Sequence, residues 1–171
     1  MFVCIINYGS FSTLNISKIL SNYNISYEII DKNQYPKYIP THVILSGGPE
    51  HVYEKCDILP NWIIYNTFPV LGICYGCQVI VNTFGGEIKK FNLEKGIYQI
   101  TNILNNEKKY VWLNHYDYIT KIPKDFKLIE IVDNSKSVAS LEYGRFTCVM
   151  YHPESFKIID LECIVKFLMK L

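Results

Sequence analysis

The chain reads as an α/β protein: a single domain on an open, mostly parallel sheet with flanking helices and a small antiparallel β portion. Three observations point there. Short apolar runs rich in β-branched and aromatic residues alternate with helical stretches through the first half, as strand–helix–strand crossovers require. Glycine pairs, Gly47-Gly48 and Gly85-Gly86, end elements abruptly. From Glu87 onward, shorter strands are parted by turns such as Asn105-Asn106-Glu107 and Tyr143-Gly144-Arg145, which fits antiparallel hairpins.

Taken in order, residues 2–7 read as a strand and 13–21 as an amphipathic helix. Residues 26–30 and 42–46 are further strands, 58–66 a helix, and 69–73 a strand whose unbroken apolar run suits burial on both faces. Residues 75–84 are helical, closed by Gly85-Gly86. Residues 146–151 form a late strand. Asp160 caps a last helix whose Leu161, Ile164, Val165 and Leu168 repeat at helical spacing and should pack on the sheet. There is no internal repeat and no linker long enough to split the chain, so residues 1–171 are expected to form one domain.

Composition narrows the function. A chain of 171 residues can bury a full core without staples. With 17 Lys+Arg against 16 Asp+Glu, the charge gives no electrostatic case for a nucleic-acid or membrane partner. Hydrophobic residues at 49% and charged ones at 19% disfavour disorder and coiled coil. The opening MFVCIINYGS lacks a basic n-region, and no apolar run is long enough to span a bilayer, so a soluble, cytoplasmic protein is expected. In that compartment Cys4, Cys56, Cys74, Cys77, Cys148 and Cys163 should be free thiols, and the Asn-x-Ser matches at Asn15 and Asn24 carry no glycan. His42, His51, Cys56 and Cys77 show no paired ligand spacing, so neither metal nor cofactor is expected.

The chemistry-bearing signal is Gly72-Ile-Cys74-Tyr-Gly76-Cys-Gln78, a cysteine at a strand-to-helix turn with glycines two residues before and after it. This is the spacing of a nucleophile elbow, where a Cβ at either flank would collide with the neighbouring strand or helix. The turn sets the thiol at the carboxyl edge of the sheet, against the positive end of the following helix, which should lower its pKa below about 8.5. The same residues contain Cys74-x-x-Cys77, the spacing of a dithiol oxidoreductase, but that reading leaves the glycines unexplained.

A cysteine nucleophile needs a base, and His152 is the best placed of the four histidines. It follows the strand at 146–151, so it leaves the same sheet edge, and Pro153 holds it extended. Glu154 stands at i+2, on the same side of an extended chain, where its carboxylate can orient the imidazole. His42 begins a strand and reads as structural, and His51 lies in a loop.

Together Gly-x-Cys74-x-Gly-x-Gln78 and His152-Pro-Glu154 make the chain resemble the class I glutamine amidotransferases, and Ile44-Leu-Ser-Gly-Gly-Pro-Glu50 with Cys74-Tyr-Gly resembles the branch that serves GMP synthase. The likeness runs from Asn7-Tyr-Gly-Ser10 to the terminal helix. It implies a flavodoxin-like fold, no cofactor, and hydrolysis of the glutamine side-chain amide by Cys74, His152 and Glu154 through a γ-glutamyl thioester. It also implies an oxyanion hole from the Gly48 and Tyr75 backbone amides, and a substrate contact from Gln78.

Two departures stand out. Where that branch reads Ser-His-Gly-Asp, this chain has Asn114-His115-Tyr116-Asp117, setting a tyrosine where a glycine backbone lies against glutamine. The 87–110 stretch is also short for the family. The resemblance makes His115 positional and sets Asp117 against a partner domain. It further implies a separate ATP-dependent synthetase as partner, since no nucleotide-activating phosphate loop is present. The same triad would also serve another γ-glutamyl substrate, and a blocked pocket would leave a binding or regulatory protein.

Overall fold

The computed structural model describes residues 1–170. Nine strands form one sheet in the order β2-β1-β3-β4-β9-β8-β7-β5-β6. In chain order these are β1 (Phe2–Asn7), β2 (Ser26–Asp31), β3 (His42–Leu45), β4 (Val70–Ile73), β5 (Glu87–Asn102), β6 (Lys108–Lys121), β7 (Lys127–Val132), β8 (Val138–Tyr143) and β9 (Phe146–Val149). The helices are α1 (Thr13–Asn22), α2 (Val52–Lys55), α3 (Asn61–Ile64), α4 (Tyr75–Thr83) and α5 (Leu161–Leu168).

The first five strands of that order pair in parallel, and from β9 onward every pairing is antiparallel. The sheet is therefore mixed. What the sequence suggested as a small antiparallel portion is a four-strand continuation of the same sheet, dominated by the long β5–β6 hairpin with its two bulges.

Strand alternation sends side chains into two cores. Cys4 and Ile6 of β1, Val43 and Leu45 of β3 and Cys148 of β9 meet Val79 and Ile80 of α4, Val52 of α2 and Ile63 of α3 on one face. On the other, Val3, Ile5, Ile44, Leu71 and Val149 meet Ile16, Ile19 and Leu20 of α1 and Ile164, Phe167 and Leu168 of α5. Removing this apolar surface from water, at about 25 cal/mol per Å², is what fixes each helix to its side. The Asp160 carboxylate accepts from the Cys163 amide at 3.1 Å, capping α5. His42, buried, donates from Nε2 to the Lys170 carbonyl at 2.9 Å and so ties the end of α5 to β3.

One helix is shorter than its sequence suggests. In place of 58–66, only Asn61–Ile64 is helical, because Pro60 sits at the N-cap and excludes α geometry from Leu59. Arg145, the only arginine, then holds that short helix by donating to the carbonyls of Ile63 (2.6 Å), Ile64 (3.2 Å) and Phe68 (3.0 Å). At the end of α4, Gly85 takes φ +79°, and the Gly85 and Gly86 amides donate to Asn82 and Val81 carbonyls, a Schellman closure. Among the described residues no helix is long and apolar enough to cross a membrane.

Candidate active site

The carboxyl ends of β1, β3, β4 and β9 lie side by side, and the loops leaving them carry the site. At the end of β4 the chain turns into α4 through Cys74, whose φ of +49° and ψ of −105° put a non-glycine residue in a sparsely populated region. Both flanking glycines are required. A Cβ on Gly76 would lie 2.6 Å from the Leu45 Cβ, and one on Gly72 would lie 2.8 Å from the Cys77 amide nitrogen. The turn is pinned by the Cys74 amide donating to the Val149 carbonyl (2.7 Å) and the Gly76 amide to the Ser46 carbonyl (3.1 Å). Cys74 thus caps the N-terminal end of α4, where the helix presents partial positive charge.

His152 leaves β9 beside it. Its backbone amide donates to the Trp112 carbonyl of β6 (2.9 Å), and its ring sits so close to Gly47 that a Cβ there would come within 3.0 Å of Cε1. The ring spends Nδ1 on Glu154 Oε1 at 2.9 Å, and it lines the same cavity as Cys74, which leaves Nε2 free for the sulfur. Burial disfavours the imidazolium, but Cys74 and Glu154 on either side outweigh it and hold the His152 pKa well above the ordinary imidazole value. Glu154 is fully buried. Thiol, imidazole and carboxylate, from separate stretches of sequence, are thus gathered at one edge of the sheet, with the imidazole hydrogen-bonded to the carboxylate.

A further group joins it. Ser12, in the loop between β1 and α1, donates its hydroxyl to Glu154 Oε1 at 2.5 Å, and Ser10 bonds Ser12 through their hydroxyls at 2.7 Å. Sequence reasoning missed both roles. Asn7-Tyr-Gly-Ser10 marks the loop, but nothing in it points to a carboxylate so distant along the chain.

Gly48 lines the same cavities as Cys74, and Tyr75 follows Cys74 in the chain. A Cβ on Gly48 would meet the Tyr8 carbonyl oxygen at 2.6 Å, so only glycine lets that loop approach. Tyr75 is fixed by its hydroxyl donating to Asp57 Oδ2 at 2.7 Å, with Lys32 holding the same carboxylate. Its amide begins α4 and has no acceptor within the helix. Cys77 is buried in the core with Cys148 and lines neither of the cavities that meet at Cys74.

Two cavities meet at Cys74. One, of about 180 Å³, is lined by Gln78, Asn114, His115, Tyr116, Glu50 and His51. Gln78 is buried there, and its side-chain oxygen has no partner among the described residues. Tyr116 is half-exposed at the rim, its ring under Lys90 Nζ at 5.7 Å, and does not fill the cavity. His115 is buried beside Glu94, with 3.7 Å between Nε2 and Oε2. Its own desolvation and the nearby His152 charge lower its pKa to about 4, so it is neutral at pH 7. Asp117 departs from expectation: it is buried and accepts from His51 Nδ1 (2.7 Å) and Tyr53 (3.4 Å), so it braces its own chain and is not available to a partner. The other cavity, of about 330 Å³, is lined by His152, Trp112, Ser10, Ser12, Phe11 and Asn15 among others.

The family description "Glutamine amidotransferase class-I" matches residues 4–169. Curated relatives include the GMP synthase [glutamine-hydrolyzing] of Pelodictyon phaeoclathratiforme, 32% identical across 89% of this chain, and that of Thermotoga petrophila, 33% identical across 89%. The chain spans about a third of the length of either relative (34% and 32%). Among solved structures, a Thermoplasma acidophilum protein provisionally assigned to GMP synthase superposes with a TM-score of 0.78 at 21% identity, covering 91% of this chain and 85% of that one. A glutamine amidotransferase of Thermotoga maritima gives 0.78 at 19%, covering 90% and 76%. At those identities the structural likeness speaks for the fold, and the sequence match for the family. The chain belongs to the class I glutamine amidotransferases.

Proposed function

We propose that this chain is a one-domain glutaminase, residues 1–171, that hydrolyses the side-chain amide of glutamine and passes the ammonia to a separate ATP-dependent synthetase, for GMP synthesis from XMP. One observation carries the reading: the elbow cysteine, where two cavities meet, shares the larger of them with an imidazole that is hydrogen-bonded to a fully buried carboxylate.

The chemistry follows from that geometry. His152 takes the thiol proton, and the sulfur attacks the γ-carbonyl carbon. The negative charge that develops on the carbonyl oxygen is met by the Gly48 and Tyr75 amides, each such donor contributing about 3 to 4 kcal/mol to lowering the barrier. His152 then hands its proton to the departing nitrogen, ammonia leaves, and a γ-glutamyl thioester remains. Water, deprotonated by His152, cleaves the thioester to glutamate and restores the thiol. Glu154 holds the ring in the tautomer that aims Nε2 at the sulfur. Gln78, with its unpartnered oxygen, is suited to the α-ammonium of the substrate. Asn114, His115 and Tyr116 line the same cavity around the amino-acid end.

The synthetase partner rests on the relatives: those named GMP synthase are about three times this chain's length, and the match falls on a third of them. Purified chain should release glutamate from glutamine, Cys74→Ala should abolish the release, and adding an ATP-dependent XMP-aminating synthetase should raise it and yield GMP. Release that survives Cys74→Ala would refute the nucleophile. Glutamate formation with no GMP, when ammonium ions alone support the same synthetase, would refute the partner.

A further inference from the structure

We propose that the larger cavity beside Cys74 is a leaving-group site, and that the enzyme cleaves γ-glutamyl amides of neutral amines bearing apolar or aromatic substituents as well as glutamine. This rests on the triad reading above and extends its substrate class.

The assignment of the two cavities comes from where a proton must go. The atom that leaves is the amide nitrogen, and it can leave only if His152 reaches it with a proton. The leaving group must therefore lie on the side that His152 lines. His152 lines the cavity of about 330 Å³ and does not line that of about 180 Å³, whereas Gln78 lines the smaller and not the larger. Cys74, Gly48 and Asn114 line both. The acyl half of an amide thus belongs with Gln78, the scissile carbon at Cys74, and whatever is bonded to nitrogen in the larger space.

Ammonia does not need that space. A molecule of its size takes about 30 Å³, and a cavity of about 150 Å³ already accepts a benzene ring. The walls indicate what would occupy it. Phe11, Trp112 and Pro49 supply apolar surface, and Asn15, Ser10 and Asn114 supply neutral polar groups. Among the described residues no carboxylate or lysine lines it, and its one cationic group is the His152 ring. A substituent carrying a second ammonium would find no carboxylate on these walls to pair with and would lose its hydration without return. Neutral substituents need no such partner.

No new chemistry is needed. The sulfur bonds to the γ-carbonyl carbon, the carbon–nitrogen bond breaks, and the amine departs with the His152 proton. Water then converts the thioester to glutamate, as with glutamine.

The test compares steady-state hydrolysis of glutamine, γ-glutamyl ethylamide, γ-glutamyl anilide and γ-glutamyl putrescine by the purified chain, with Cys74→Ala as the blank. The ethylamide and anilide should have kcat/KM within about thirtyfold of glutamine, and the putrescine amide should be at least about tenfold poorer than the ethylamide. Asn15→Trp, which fills the cavity from the α1 side, should lower the anilide-to-glutamine ratio of kcat/KM by about tenfold or more. Glutamine turnover with neither neutral amide inside that range, or an unchanged ratio in Asn15→Trp, would overturn the leaving-group site while leaving the glutaminase intact. No turnover of any substrate, with Cys74 unreactive toward a glutamine chloroketone, would remove the glutaminase reading and this proposal with it.

Discussion

In the proposed mechanism His152 is the pivot of the site, and its ionisation sets the expected pH response. Glu154 and Cys74 both favour the imidazolium, so its folded pKa stands above the usual value of about 6.5. Loss of the proton donor marks the alkaline limb of the activity profile, so that limb should lie above pH 6.5. Replacing Glu154 by Gln removes an anion that stabilises the cation, which lowers the His152 pKa. In Glu154→Gln the alkaline limb should therefore move to lower pH, with kcat reduced on the order of 10²- to 10⁴-fold. A limb that stays in place would mean that Glu154 does not set the ring's charge. Ser12 acts one step further out, since its hydroxyl holds the same carboxylate oxygen that His152 uses. A hydrogen bond to a charged group contributes about 1.5 to 3 kcal/mol, so Ser12→Ala should cost about tenfold in kcat/KM. Ser12→Thr, which keeps the hydroxyl, should restore most of the loss. Cys74, His152 and Glu154 were legible in the sequence because each sits in a short motif with a local geometric reason. Ser12 was not, because its partner is reached only through the closure of the sheet.

At the scale of elements, glycines that look alike in the sequence do different work. Gly85 takes a left-handed φ at the end of α4 with open space around it, so Gly85→Ala meets only backbone strain of about 1 kcal/mol. Gly76 is pressed against Leu45 of β3, and a methyl group there has to push the helix and the elbow away from the strand. Overpacking of this kind costs about 1 to 3 kcal/mol, and at this size each kcal/mol moves the melting temperature by about 2 to 4 °C. Thermal unfolding with parallel glutaminase assays should show a drop of a few degrees and near-normal activity for Gly85→Ala. Gly76→Ala should lose both stability and activity. Equal behaviour of the two would mean that the elbow does not depend on that close approach.

The strands and helices around the elbow could be read from their apolar runs and glycine stops. The β5–β6 hairpin could not be measured the same way, because its charged residues, bulges and exposed faces break the two-residue period over its length. The four-residue α2 is too short to show the repeats that announce a helix, whereas α3 is announced but comes out shorter than its apolar run suggests. Pro60, visible in the sequence, is what cuts α3 to four residues.

Across the whole molecule, one sheet joins everything: the parallel strands supply Cys74 and His152, and the antiparallel continuation supplies Trp112, Asn114, His115 and Tyr116. Both cores are faces of that sheet. Heat should accordingly unfold the chain in one transition whose calorimetric and van't Hoff enthalpies agree. A calorimetric value well above the van't Hoff one would divide the chain into two units. Order along the sequence hid this arrangement, since β9 lies last among the strands yet sits beside β4 at the middle of the sheet.

The most direct test is chemical. Treating the native chain with a chloroketone mimic of glutamine and locating the adduct by peptide mass spectrometry asks which thiol the site activates. A single adduct on Cys74 is expected, slowed by excess glutamine and greatly slowed in His152→Ala. Labelling spread over the exposed Cys56, or a Cys74 that reacts no faster than a free thiol and ignores glutamine, would contradict it.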